Sequence, residues 1–159
     1  MIIQAETVEQ IEETRRLFRE YEAWLDVDLC FQSFEEELEN LPGKYAAPSG
    51  RLFLGYVGEK VAGCIALRKL DDDVCEMKRL FVSEAFRGSG LGKMLIENLI
   101  SEAQSIGYQK IRFDTLPAKM PKAVEFYRFY GFREIAPYYE NPHKTTLFME
   151  KDLSDELQI

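Results

Sequence analysis

Apolar and polar positions follow two rhythms along this chain. Met1-Ile2-Ile3 is a short apolar strand, after which a helical rhythm sets in. Ile11, Leu17, Phe18 and Tyr21 give the first helix an apolar face, behind Thr7 and Gln10 spaced as a capping box. A second helix is predicted from Ser33 to Leu41, with Glu36 three residues after the cap and Pro42-Gly43 as its stop. Pro48-Ser49-Gly50 is a turn. Two strands follow, Leu52 to Val57 and Val61 to Leu67, joined tightly through Gly58-Glu59-Lys60. Another strand runs from Val74 to Val82. A glycine-rich turn then leads into a long helix to Ile106, with Gly107 placed as its C-terminal cap. Ile111, Phe113 and Thr115 alternate with Lys110, Arg112 and Asp114, which is a strand period. A last helix lies between Pro121 and Gly131, carrying Ala123, Phe126, Tyr127 and Tyr130 on one face. Strands near Phe132 to Ala136 and Thr145 to Glu150 flank the loop from Pro137 to Pro142.

Strand, helix and strand around residues 74–115 imply a right-handed βαβ unit with a parallel pair. There is no repeat, low-complexity segment or linker, so the reading is one mixed α/β domain over residues 1–159. Asp and Glu outnumber Lys and Arg by 28 to 20, for a net charge of −8. That balance argues against nucleic acid as a partner and suits an amine-bearing substrate. The run Glu35-Glu36-Glu37 reads as a solvated helix face. Early acids without a basic, apolar leader predict no signal peptide, and no apolar segment is long enough to span a bilayer. Cys30, Cys64 and Cys75 are odd in number and lack metal-ligand spacing, which suits a reducing cytoplasm. With His143 as the only histidine, a His-based metal site or a Ser-His-Asp triad has little to draw on, and no metal is expected.

The densest chemical signal is Arg87-Gly88-Ser89-Gly90-Leu91-Gly92, a glycine turn between a strand and a helix. Backbone N–H groups at a helix N-terminus favour phosphate, glycines let the backbone approach it closely, and Arg87 adds a fixed positive charge. A Walker A loop does not fit: Arg87 stands where its first glycine belongs, and Met94 follows Gly92-Lys93. The dinucleotide pattern fails as well, because the glycines run 88, 90 and 92. The competing reading is a plain flexible turn.

Four stretches resemble the GNAT superfamily of N-acetyltransferases. Cys75 to Val82 is similar to the family's central strand. Arg87 to Gly92 fits its R-x-x-G-x-G pyrophosphate loop, and Ala123-x-x-Phe126-Tyr127-x-x-x-Gly131-Phe132 fits its second motif. Tyr138 to Pro142, with Leu41-Pro42-Gly43, resembles small bacterial members. Many members carry Asn three residues before the Ala of the second motif, whereas this chain has Met120. The resemblance implies an α/β fold with a mixed sheet of about six to seven strands, a splayed parallel pair and about four helices. It also implies acetyl-CoA as co-substrate, held by Leu80, Phe81, Val82, Arg87, Gly88, Ser89, Gly90, Leu91, Gly92, Lys93 and Tyr127. An amine would attack the thioester directly.

Within that frame Tyr127 is the candidate acid for the CoA sulfur, and packing on the apolar helix face is the other reading. Tyr130 has the same packing reading with less support from the family. Glu76 is the candidate base, acting through water. Its alternatives are an ion pair with Lys78 or Arg79, or a carboxylate that orients substrate. Alternation puts Glu76 on one face with Lys78, Leu80 and Val82 unless a bulge intervenes. Tyr138, Tyr139 and Asn141 are expected to line the acceptor pocket, with Phe31, Gln32 and Tyr45 opposite; ordinary loop packing is the alternative. His143 reads as a solvated loop histidine or a base. The expected function is acetyl transfer from acetyl-CoA to a small-molecule or amino-acid-like amine, by a monomer or homodimer with no nucleic-acid or membrane partner. A non-catalytic acyl-CoA-binding sensor and a protein N-terminal acetyltransferase remain as alternatives. The acceptor's identity and the acyl-chain preference stay open.

Overall fold

The structure is a computed structural model and describes residues 1–26, 29, 33–119 and 122–154. Strand β1 (Ile2–Gln4) is followed by helix α1 (Val8–Leu25), which begins on the expected capping box. There the Gln10 backbone N–H donates to Thr7 Oγ1 at 3.2 Å, and the Thr7 N–H donates to Gln10 Oε1 at 3.0 Å. Helix α2 (Phe34–Glu39) is shorter than predicted, and Ser33 precedes it in a left-handed conformation without making a side-chain cap. Strands β2 (Arg51–Val57), β3 (Lys60–Lys69) and β4 (Val74–Val82) form an antiparallel meander. Helix α3 (Leu91–Ile106) and strand β5 (Lys110–Thr115) complete the crossover. Helix α4 (Ala123–Phe129), β6 (Arg133–Ile135) and β7 (Leu147–Asp152) close the chain. Pro121, expected at the head of α4, lies outside the described residues.

One seven-stranded sheet runs in the order β1-β2-β3-β4-β5-β7-β6. Among the described residues only β4 and β5 are parallel, which is the predicted crossover pair. The sheet is buried on both faces. Leu17, Phe18 and Leu25 of α1 pack with Leu52, Leu54 and Cys64 on one side. On the other, Leu95, Ile96, Leu99 and Ile100 of α3 have no exposed surface. Burial of each such side chain contributes about 1.5–3 kcal/mol. Two strand glycines set how deeply α3 sits. A Cβ on Gly55 would stand 2.7 Å from Leu91 Cδ1, and one on Gly63 would stand 2.7 Å from the Phe81 carbonyl oxygen. Among the described residues no helix is long and apolar enough to cross a membrane.

The sheet departs from simple alternation within β4. Cys64 of β3 opposes Phe81, and Ala66 opposes Lys78, so Ile65 faces both Arg79 and Leu80. This is a β-bulge, and Arg79 occupies the left-handed region at φ 61°. The expectation that Glu76, Lys78, Leu80 and Val82 share a face is therefore corrected. Cys75 and Met77 belong to the α3-side core before the bulge, whereas after it Leu80 and Val82 pack against that core. Phe81 turns to the α1 side, with its ring 5.8 Å from Tyr21 and 5.9 Å from Trp24.

Candidate active site

The parallel pair holds together for only part of its length. Val74, Cys75 and Glu76 pair with Lys110, Ile111 and Arg112, and no register continues beyond them although both strands do. The strands part at this point, and two cavities open that share Leu80 and Tyr127.

The first cavity is lined by Leu80, Val82, Arg87, Gly88 and Gly92, with Trp24 and Phe126 among its walls. Gly90 caps the N-terminus of α3 at φ 85°, and Gly88 has φ 86°, both in the region that glycine occupies without cost. Arg87 is anchored rather than loose. Its Nε donates to the Val82 carbonyl at 3.1 Å, and its guanidinium lies 4.9 Å from the Trp24 ring centre. Phe81 and Lys93 also line this cavity, whereas Leu91 turns inward and is buried. Ser89 Oγ accepts from the Leu91 N–H at 3.4 Å. The role of Trp24 was not read from the sequence, where the only signal was its being the chain's single tryptophan.

The second cavity is lined by Glu76, Lys78, Asp114, Asn141, His143 and Thr146, with Tyr21 and Thr115 nearby. Leu80 and Tyr127 line both cavities. Tyr127 is buried, its ring centre 4.4 Å from that of Phe113, and burial raises its phenol above the ordinary range. Tyr130 sits further along α4, its hydroxyl donating to Glu97 Oε1 on α3 at 2.9 Å.

Glu76 is buried and fully engaged. It accepts from Arg68 Nε at 2.7 Å and from the Tyr138 hydroxyl at 2.6 Å, and Lys78 Nζ lies 3.9 Å away. Burial pushes its carboxyl up, but Lys78, Arg68 and the Tyr138 hydrogen bond outweigh burial and hold it below the ordinary value. Of the two ion pairs weighed as alternatives to the base role, the one with Lys78 is present at 3.9 Å, but Arg68 makes the closer contact. Arg79 instead forms a buried two-pronged pair with Glu37 of α2, at 3.0 and 3.1 Å.

Asp114 escaped the sequence reading, which placed it only on the alternating face of a strand. It accepts from the Tyr139 hydroxyl, and burial raises its carboxyl above the ordinary value, with Glu76 adding to the rise. Two adjacent tyrosines thus clip the loop after β6 onto two strands. Of the loop residues expected to line the acceptor pocket, Asn141 does so, while Tyr138 and Tyr139 stand behind Glu76 and Asp114. Asn141 Nδ2 donates to Tyr139 Oη at 2.9 Å, and the His143 backbone N–H donates to Asn141 Oδ1 at 2.8 Å. Tyr45 is buried beside a separate cavity near α2, together with Glu37 and Lys44. Phe31 and Gln32 lie outside the described residues. Among the described residues no cluster of His, Cys, Asp and Glu has the makings of a metal site.

Residues 11–132 match the acetyltransferase (GNAT) family. A protein of Dictyostelium discoideum described as an uncharacterized N-acetyltransferase is 32% identical, over 87% of this chain and 92% of its own length. The crystal structure of a GNAT family acetyltransferase from Staphylococcus aureus Mu50 superposes with a TM-score of 0.79 at 23% identity, covering 96% of this chain and 98% of that one. A GNAT family acetyltransferase from Elizabethkingia anophelis, solved with acetyl-CoA bound, aligns with a TM-score of 0.56 at 24% identity, over 65% of this chain and 76% of that one.

Proposed function

The chain belongs to the acetyltransferase (GNAT) family and is an acetyltransferase, and from that premise we propose that it moves the acetyl group of acetyl-CoA onto the amine of a small acceptor. The observation that carries this reading is the meeting of two cavities at Leu80 and Tyr127. The glycine-turn cavity suits the donor, with the pyrophosphate on the N–H groups that begin α3 and the pantetheine arm along the unpaired part of β4. The solved relative that holds acetyl-CoA supports that assignment. The charged cavity suits the acceptor. Because the loop carrying Tyr138 and Tyr139 is clipped over it, a small molecule fits this side better than a polypeptide end.

The neutral amine attacks the thioester carbon, the carbon–sulfur bond breaks, and the sulfur takes a proton. Of the three protons on the starting ammonium, one stays on the amide, one ends on the sulfur and one leaves to solvent. Tyr127 serves as the proton donor to sulfur. Its raised phenol stays protonated across the working pH range, so a hydrogen bond is always available to the departing thiolate. Glu76, already ionised and held on three sides, acts as a positioning carboxylate rather than as the base. Thiol release from acetyl-CoA over a panel of small amines tests the reading. Tyr127→Phe is expected to lower kcat by about 10²-fold with little change in the KM for acetyl-CoA. A well-folded Tyr127→Phe enzyme with full activity would reduce the hydroxyl to packing.

A further inference from the structure

We propose that Trp24 is a positioning residue for the acetyl donor: its ring face holds the Arg87 guanidinium at the glycine-turn cavity without neutralising it, and so sets the affinity for acetyl-CoA through Arg87; this rests on the acetyl-transfer reading above. Charge carries the first part of the argument. The chain is acidic, with a net charge of −8, yet Arg87, Lys93 and Lys122 line this cavity, and no Asp or Glu is among its described lining residues. Among the described residues Arg87 forms no ion pair, and its hydrogen bond runs from Nε to the Val82 carbonyl at 3.1 Å. Its terminal nitrogens and its full charge are left for an anion. Arg79, eight residues earlier, shows the opposite arrangement. It is buried and matched by Glu37 at 3.0 and 3.1 Å, so its charge is answered within the fold.

Aromatic faces take the place of a carboxylate at Arg87. Its guanidinium carbon lies 4.9 Å from the Trp24 ring centre and 5.7 Å from that of Phe81. The two rings are themselves neighbours, 5.9 Å apart. A ring attracts a cation through its quadrupole and removes none of its charge, whereas a carboxylate at contact would cancel the charge that a phosphate needs. The bond at Nε fixes one point of the guanidinium, and a ring face fixes its plane. Less freedom is then left to lose when the anion arrives. The fold assembles this cradle from separate elements. Trp24 stands in the last turn of α1, and the bulge in β4 turns Phe81 to the α1 side, where the rings meet. Phe81 belongs to the core, but Trp24 is only partly buried, so Trp24 is the ring that can be changed with least harm to the fold.

A double-mutant cycle on the full chain tests this, with calorimetric binding of CoA and steady-state thiol release from acetyl-CoA as its two measurements. Trp24→Leu is expected to weaken CoA about fivefold and to raise the KM for acetyl-CoA by a similar factor, with kcat little changed. Trp24→Phe keeps a ring face and should recover most of the affinity. In an Arg87→Ala background the same Trp24→Leu change should weaken CoA by less than about twofold, because the cation it holds is gone. If Trp24→Leu does not fold, Trp24→Met takes its place in the cycle with the same expected outcomes. Unchanged affinity in the single variant overturns the proposal. So does a loss that persists undiminished without Arg87, which would make Trp24 a direct contact of the donor or a purely structural residue. CoA binding with this coupling but no thiol release with any amine would sustain the role of Trp24 and sink the transfer reading. Thiol release without the coupling would do the reverse, and the absence of both would sink both.

Discussion

The proposed donor and acceptor sides of the site are built from different materials. The donor side is largely backbone: a glycine turn, the head of α3, and the edge of β4 left unpaired beyond Glu76. The acceptor side is largely charged side chains gathered from distant parts of the chain. Glu76 is joined to Tyr138, 62 residues away in sequence, and Arg79 to Glu37, 42 residues away. A backbone site works for any chain that can make the turn, so it demands glycines at fixed spacing. A side-chain site balances charges against one another, and no short stretch of sequence states that balance.

The largest effect expected from breaking this contrast is at Gly90. A Cβ there meets nothing within 4 Å, so packing does not forbid a side chain, but φ 85° does. Gly90→Val should cost about 1–2 kcal/mol of stability through backbone strain. It should also weaken acetyl-CoA by about 10²-fold or more, because the turn can no longer aim its N–H groups. Calorimetry on the folded variant checks the second effect, and unchanged affinity would move the pyrophosphate elsewhere. Arg87→Ala comes next, at about tenfold weaker binding of acetyl-CoA. Arg87 is a charged side chain on this side, anchored by both a carbonyl and an aromatic face. A loss that disappears at high salt would assign its effect to charge, and a persistent one to its packing on Trp24.

The smallest effect sharpens the acceptor side, where two carboxylates are driven in opposite directions. Glu76 is held below its ordinary value, so it adds stability above the unfolded-state pKa and loses that contribution as pH falls through the lower folded value. Glu76→Gln should therefore be less stable than the parent at neutral pH, with the gap closing below about pH 4. Asp114 is raised, so its ionised form is a burden to the folded state above the raised value. Asp114→Asn should gain slightly at neutral pH, and that gain should fade as acid protonates the parent. Denaturant melts between about pH 3 and 8 measure both slopes. Two variants with the same pH trend would contradict the opposed environments.

The fold was legible because its strands and helices obey local periods. β4 runs from Val74 to Val82 as the apolar pattern predicts, and α3 ends at Gly107 on a left-handed cap. The glycine turn was legible for the same reason, since it lies within six consecutive residues. The acceptor side was legible only in part. Glu76 and Asn141 were singled out from the sequence, and both line the charged cavity. Asp114 looked like the polar half of an alternating strand, because its significance comes from the loop tyrosine that reaches it across the sheet. Lys78 was read only as a partner for Glu76. Tyr138 and Tyr139 were placed in the right region but credited with lining the pocket they support from behind. Arg79 was hidden by the bulge, since alternation alone cannot foresee where a strand accommodates an extra residue.

That bulge bears on what kinds of change the chain can absorb. A strand exchanges its faces at every residue, so the count of residues between Glu76 and Val82 decides that Glu76 meets the charged cavity and Val82 the glycine-turn cavity. Substitutions along this stretch alter one contact at a time. Loss or gain of a single residue would rephase everything downstream, turning Leu80 and Val82 toward α1 and Phe81 toward α3. Over this short span the number of residues matters to the faces of the strand as much as their identity does, and Arg79 serves both, filling the extra position and pairing with Glu37.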